Sequence, residues 1–455
     1  MSEPLSPAST DADSDKSSSI ALNLTLTEQY CGEPFEEFEP KAKKLCESIW
    51  PDAKRIELER IPGGSCHRIV AIKVLPEAID IKTATSIWRK IKQVLHILFK
   101  LLRSCRRRGQ EKQPRYQTGF DNYILRIPRF PDPPEELTLH HERVACEFAE
   151  QLLTFPVPKT VKVCLVSENS IGNPYVIQER MTGQPLDDLW KTLNQQQRLC
   201  AAKLLGKILR ELAATTAPAA GKIDPRDPTR ILAPPLPSHP VRPNMTELAQ
   251  PMKPAELLRN RLAAWTENHA RHEPYFPYAE LAKLIKDDTL GPDDNYYFCH
   301  GDLYPRNILA EVVDQRRIKI TGIIDWDLAA FAPAFVAFEA PCWLWKMEMY
   351  ETGELEDEKL RIGAADEPVR DEDRQLKAAF EETVGDDWLR IAYWKDVEVL
   401  RWIWRIGMEG LGNSTYWRMA DAAIEALSGR AFGREWGRGG TKTLKSGSGT
   451  KASRI

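Results

Sequence analysis

The chain has 455 residues, of which 42 % are hydrophobic and 28 % charged, with a formal net charge of −3. That balance belongs to a soluble globular protein with room for two lobes, and it gives no electrostatic case for binding nucleic acid. Nine cysteines, an odd number with no CxxC pair, argue against a disulfide framework and a structural zinc site and favour a reducing compartment.

The first residues, MSEPLSPASTDADSDKSSS, lack the basic and apolar regions of a secretory signal. No stretch reaches the roughly 18 uninterrupted apolar residues that a spanning helix needs, so a cytoplasmic location is expected. Residues 1–20 are rich in Ser, Asp and Pro and are expected to form a disordered tail, as are residues 438–455.

From Arg55 to Val74 two apolar-alternating runs flank Pro62-Gly63-Gly64-Ser65, the pattern of a hairpin. Tyr123–Ile127 is a third strand candidate. A helix follows over Pro134–Leu153 and stops before Pro156-Val157-Pro158, after which Thr160–Ser167 and Pro174–Glu179 read as strands. The first third therefore reads as strands plus one helix. Beyond Met181 helical spacing dominates, over Pro185–Leu193, Gln196–Ala214, Pro254–Trp265, Trp388–Gly407 and Thr415–Leu427, interrupted by the Pro-rich stretch Pro225–Pro254. The layout is α+β, with a small β-rich N-lobe over 21–180 and a larger, mostly helical C-lobe over 181–437. Residues 75–118 interrupt the N-lobe as an insertion. Within it, 84–108 combine apolar residues at helical spacing with Arg103, Arg106, Arg107 and Arg108. Such a segment either packs on the N-lobe as a surface insertion or makes a peripheral membrane or protein contact.

The chemistry concentrates between Tyr296 and Trp326. An apolar strand, Tyr296–Cys299, leads into a polar loop with His300-Gly301-Asp302 and Asn307, and a second strand, Ile318–Ile324, ends on Asp325. These two strands are expected to form a hairpin that brings Asp302, Asn307 and Asp325 to one end. Phosphoryl transfer needs such a set. One carboxylate orients the attacking hydroxyl and accepts its proton, while separate oxygen donors hold Mg²⁺ against the phosphates. On that reading Asp302 is the base, and Asn307 and Asp325 are the metal ligands.

The run His300–Leu309, HGDLYPRNIL, together with Ile323-Ile324-Asp325-Trp326, resembles the aminoglycoside phosphotransferase family, relatives of choline kinases and protein kinases. Gly301 and Trp326 follow its small-molecule branch, where protein kinases have HRD and DFG. The tract Ala330–Trp345 is similar to fungal-type members. The resemblance runs from about Ile56 to Trp345, leaving the insertion outside it.

It implies a two-lobed protein kinase-like fold and an ATP- and Mg²⁺-dependent kinase acting on a hydroxyl of a small molecule. It gives His300 a bracing part in the catalytic loop. Gly63, Gly64 and Ser65 would close over the nucleotide phosphates through backbone N–H groups. Arg126 stands where the family has a phosphate-gripping lysine, with Lys73 as the rival. Glu142 would be its helix partner, or else Glu147. Gln178, Glu179 and Met181 resemble the hinge whose backbone meets the adenine. Asp327 is either a further metal ligand or a capping acid. Asp187, Asp188, Asp366 and Glu367 either receive a cationic substrate or are solvated helix faces. The alternative function is a kinase-fold nucleotide-binding protein without useful catalysis, which the intact set Asp302, Asn307 and Asp325 argues against.

Overall fold

Apolar residues at every second position of the early strands give them one inward face, and that face needs a helix to cover it. The computed structural model describes residues 33–61, 67–76, 121–129, 134–234, 247–269, 277–287, 289–291, 293–351, 363–412 and 414–429. The expected tails, Gly63, Gly64, Ser65 and residues 77–120, with the basic segment 84–108, lie outside the described residues. The chain forms two units. One comprises residues up to Asp132 together with Cys164–Gln178, and the other comprises Pro133–Val163 and everything from Glu179 onward.

In the first unit, α1 (Phe35–Ile49) precedes β1 (Ala53–Ile61), β2 (His67–Pro76) and β3 (Asp121–Pro128). All neighbours pair antiparallel, β1 with β2 from Ile61↔Ile69 outward and β2 with β3 through Ile69↔Arg126. Val70, Ile72, Val74, Leu125 and Ile127 point to one face and pack on Phe38, Ala42, Leu45 and Cys46 of α1. Those four helix residues recur at the spacing of one helical face. The sequence pattern gave this third of the chain one helix, and α1 is a second; Pro40 inside it and the surrounding charges hide its period.

The second unit opens with α2 (Pro134–Leu152). The border between units falls at β4 (Thr160–Cys164) and β5 (Tyr175–Glu179). Then come β6 (Gln184–Pro185), α3 (Leu186–Trp190), α4 (Gln195–Leu212), β7 (Thr216–Ala217), β8 (Lys222–Asp224) and β9 (Asp227–Leu232). Next are α5 (Pro254–His269), α6 (Tyr278–Leu284), β10 (Tyr296–Cys299), β11 (Ile308–Val312), β12 (Ile318–Ile323) and β13 (Ala330–Pro333). The chain continues through α7 (Ala334–Ala337), α8 (Met347–Glu351), α9 (Asp371–Val384), α10 (Asp386–Ala392), α11 (Val397–Glu409) and α12 (Ser414–Ser428). The fold is thus α+β, a β-rich unit and a mostly helical one. Among the described residues, no helix is long and apolar enough to cross a membrane.

Asn194 and Gln197 start α4 with reciprocal side-chain-to-backbone hydrogen bonds, which satisfy N–H groups that a helix start leaves open. The main core gathers α2, α4, the strands β10–β13 and the segment Phe338–Trp345, with Phe298 stacked 6.1 Å from the fully buried Trp326. A second cluster joins α5, α6, α11 and α12.

Three expectations need correction. The strand before the catalytic loop does not pair with Ile318–Ile324: β10 pairs with β13 and β7, and the hairpin is β11 with β12. A strand buried on several sides takes its partners from tertiary packing, which local alternation does not specify. The run Trp388–Gly407 is two helices, α10 and α11, separated at Tyr393–Asp396. The start of the Pro-rich stretch folds as the β8–β9 hairpin, where Lys222 pairs with Leu232.

His141 of α2 is buried and donates its Nδ1–H to the Ile223 carbonyl of β8 at 3.0 Å, tying the helix to this hairpin. Burial pushes its pKa from the ordinary 6.5 down to about 4, with the Lys222 charge acting the same way. The unfolded chain therefore takes up a proton near pH 6.5 that the native imidazole refuses until about pH 4. Stability carried by the neutral ring is complete above pH 6.5 and falls through that window, by up to roughly 3 kcal/mol. His141→Asn keeps a donor for Ile223 without titrating. Its stability deficit against the wild type at pH 7, read by urea unfolding, is expected to narrow steadily towards pH 4.

Candidate active site

β10 delivers the chain into the loop His300–Tyr304, a single 3₁₀ turn at Pro305–Asn307 follows, and β11 begins at Ile308. Gly301 adopts a left-handed φ of +82°, and a Cβ there would lie 2.5 Å from the Leu328 carbonyl oxygen. Only glycine lets this loop pass so close to the one after β12.

His300 joins the two loops. It is 2 % exposed, donates Nε2–H to the Ile324 carbonyl at 2.9 Å, and accepts the Asp302 backbone N–H on Nδ1 at 3.2 Å. One donor and one acceptor describe a neutral imidazole, and burial holds its pKa below the usual histidine range. The ring also lies 4.5 Å from Trp326, whose indole N–H binds the Ile323 carbonyl at 2.8 Å. The Ile324 peptide is held from both sides, since its N–H donates to the Asn307 carbonyl at 2.9 Å. Asp325 comes next with φ +69°, a left-handed non-glycine residue and so a costly conformation retained by its surroundings.

Asn307 is buried, and its Nδ2 donates to the Asp302 carboxylate at 2.7 Å and to the Asp302 carbonyl at 2.9 Å. With both amide protons directed at Asp302, the amide oxygen is the donor atom left for a cation. Arg306 sits on the same carboxylate, its Nη2 2.8 Å and 3.0 Å from the two oxygens and its guanidinium over the Tyr304 ring at 4.6 Å. Its other terminal nitrogen is 3.4 Å from the Tyr350 hydroxyl. The structure thus brings His300, Asp302, Asn307 and the start of the Asp325 loop together, and adds Arg306. A cation four residues beyond the Asp was the one sign of Arg306 in the sequence. Behind the loop lies a cavity of about 100 Å³, bounded by His300, Tyr304, Leu212, Glu339 and Trp343.

A further residue has no sequence signature. Lys222 of β8 donates from Nζ to the Asp327 carbonyl at 2.5 Å. Burial pulls its pKa below the ordinary lysine value, while the carboxylates of Asp327 and Glu142 act in the opposite direction. Glu142 is fully buried on α2, whereas Glu147 is an outward-facing residue paired with Arg143 at 2.7 Å. The charge of Glu142 therefore bears on Lys222 within its own unit.

In the first unit, Arg126 is buried with Nη2 3.4 Å from His67 Nδ1, and its register opposite Ile69 places it near the His67 end of β2. Lys73 pairs with Asn122 at the far end of the strands and lies 3.5 Å from the Glu57 carboxylate. Gln178 is buried on β5. In the second unit the Glu179 N–H binds the Lys159 carbonyl at 2.8 Å, and Met181 packs over Gly322. Asp366 and Glu367 are exposed in the turn before α9 and lie on no helix face.

The sequence matches the phosphotransferase enzyme family APH over residues 106–376, more than half of the chain. The chain belongs to this family. A 90-residue stretch, 17 % of the chain, is 31 % identical to a subtelomeric hrmA-associated cluster protein of Aspergillus fumigatus. The same protein in a second strain matches equally. This chain spans only 18 % of that relative's length. Among solved structures, the GDP and kanamycin complex of APH(2")-IIIa is 16 % identical, covering 85 % of this chain and 96 % of that one with a TM-score of 0.40. The aminoglycoside phosphotransferase APH(4)-Ia is 14 % identical, covering 86 % and 99 %, with a TM-score of 0.41. Overlaps of that size carry no argument, and membership rests on the sequence match.

Gly301→Ala is expected to destabilise the second unit by roughly 2 kcal/mol or more, because the new methyl must displace backbone rather than a flexible side chain. Urea unfolding followed by tryptophan fluorescence reads this directly. A change within a few tenths of a kcal/mol would show that the two loops can part without cost.

Proposed function

We propose that this phosphotransferase moves the γ-phosphoryl group of ATP to a hydroxyl of a small molecule, with Asp302 as the base and Asn307 and Asp325 as the ligands of Mg²⁺. The observation that carries this reading is the neutral His300 bridge, which holds the Asp302 loop and the residue before Asp325 in one place. The donor set suits magnesium, a hard cation that prefers oxygen. The amide of Asn307 is turned so that its oxygen remains for the ion, and Asp325 adds a carboxylate. When bound, the ion supplies charge neutralisation on the phosphate oxygens.

In the reaction the acceptor oxygen bonds to the γ-phosphorus, the bond from that phosphorus to the β-bridging oxygen breaks, and ADP leaves with the electron pair. Asp302 orients the hydroxyl and takes its proton. Asn307 fixes the direction of that carboxylate through Nδ2, and Arg306 holds it from the solvent side. Rate then comes from positioning and electrostatics, as phosphoryl transfer requires.

For the nucleotide, we assign the backbone of Gly63, Gly64 and Ser65 to the phosphates and that of Gln178–Met181 to the adenine. Arg126 is preferred over Lys73 for the α- and β-phosphates, since it stands at the His67 end of its sheet and Lys73 pairs with Glu57 at the other. Arg126 differs from lysine in offering a planar fork. A second reading, a nucleotide-binding protein without catalysis, finds its support in Arg306, which already engages both oxygens of Asp302.

Asp302→Asn separates the two. Turnover, read as phosphate transfer across a panel of amino alcohols, sugars and aminoglycosides, is expected to fall about a thousandfold or more, while AMP-PNP binding by thermal shift stays near wild type. Turnover persisting in the variant would remove Asp302 from its role. Nucleotide binding by the wild type with no transfer and no slow ATP hydrolysis would establish the second reading.

A further inference from the structure

Three elements of the second unit meet beside the loop that follows β12. His141 fixes α2 to β8 through the Ile223 carbonyl. Gly221, the residue before β8, exchanges both backbone hydrogen bonds with Phe331 of β13, at 3.0 Å and 2.8 Å. Between these anchors Lys222 reaches across to the Asp327 carbonyl. The lysine stem is thus fixed on both flanks, and its ammonium lies against the backbone two residues beyond Asp325. Its countercharges are Glu142, from the helix, and the Asp327 carboxylate, from the loop itself.

We infer that Lys222 is a positioning residue for the loop that carries Asp325. Its hydrogen bond to the Asp327 carbonyl fixes the far side of the loop, as His300 fixes the near side through the Ile324 carbonyl. Two carbonyls, one before and one after Asp325, are each captured by a donor from another element, the buried His300 and the half-buried Lys222. The left-handed backbone of Asp325 sits between those two points, and a costly conformation persists only where its surroundings over-determine it. The charge of Glu142 favours the ammonium form of Lys222, and Asp327 is then the anchor of the loop instead of a third ligand. This inference rests on the reading of Asp325 as a metal ligand.

The test compares Lys222→Met, Lys222→Arg, Glu142→Gln and the double variant Lys222→Met/Glu142→Gln with the wild type. The first readout is urea unfolding. The second is the Mg²⁺ concentration that half-saturates the thermal shift at fixed AMP-PNP, with Asp325→Asn as the reference for loss of the ligand. Lys222→Met removes a cation that faces the Glu142 and Asp327 charges and is expected to lower stability; the double variant, which also removes the Glu142 charge, is expected to recover part of it. The half-saturating Mg²⁺ is expected to rise roughly 10-fold or more in Lys222→Met, as when a partner of a metal ligand is removed, and to stay raised in the double variant. Lys222→Arg, which retains a donor, is expected to return towards the wild type. An unchanged Mg²⁺ response in Lys222→Met, or one that recovers together with stability in the double variant, would overturn the inference and leave Lys222 a charge-balancing core residue. An unchanged Mg²⁺ response in Asp325→Asn would instead overturn the site reading, and this inference with it.

Discussion

A single buried imidazole sets the spacing of the two loops that carry Asp302 and Asp325. His300 gives its one proton to the Ile324 carbonyl and takes the Asp302 N–H on its other nitrogen. Both bonds require the neutral ring: a proton on Nδ1 would turn that acceptor into a donor facing another donor. Burial keeps the ring neutral, and burial is supplied by the aromatic core of Phe298, Trp326 and Phe331 beneath it. Core packing and site geometry are therefore one problem here. The aromatic side chains exclude water from the imidazole, the imidazole joins two loops, and the loops present one carboxylate each.

A second layer works at greater distance from the acids. Helix α2, the β8–β9 hairpin and β13 are stitched together by His141, Lys222 and Gly221. Each link pairs a donor with a backbone carbonyl, the inexpensive way to hold a loop in a low-dielectric interior, because a carbonyl left unpaired there costs the full loss of its hydration. The ammonium of Lys222 lies among charges of opposite sign, those of Glu142 and Asp327. The polar interior of the second unit thereby converges on the stretch from Asp325 to Phe331 and leaves it little freedom.

The first unit obeys simpler rules. Alternation puts Val70, Ile72, Val74, Leu125 and Ile127 on α1, so the opposite face is left for Lys73, Ile124 and Arg126. Any group meant to meet a ligand on this sheet must come from that second face. Strand parity alone thus selects Arg126 and Lys73 together, and register separates them by most of the strand length. The guanidinium of Arg126 lies beside His67, while the ammonium of Lys73 is set against Glu57.

The sequence by itself determined the α+β class, the strands Tyr123–Ile127 and Pro174–Glu179, most of the long helices, and the polar loop from His300 to Asn307. These rest on short-range causes: alternation, helical spacing, and a motif whose residues must follow one another closely to share a loop. It did not determine which strands pair, since β10 lies nearest in sequence to β11 yet pairs with β7 and β13. The link from Lys222 to the Asp327 carbonyl was also invisible. A lone lysine after Gly221 has no local signature, and its meaning comes from a carbonyl 105 positions away. Tertiary structure decided these because burial, more than spacing, fixes what an isolated charge must find as its partner.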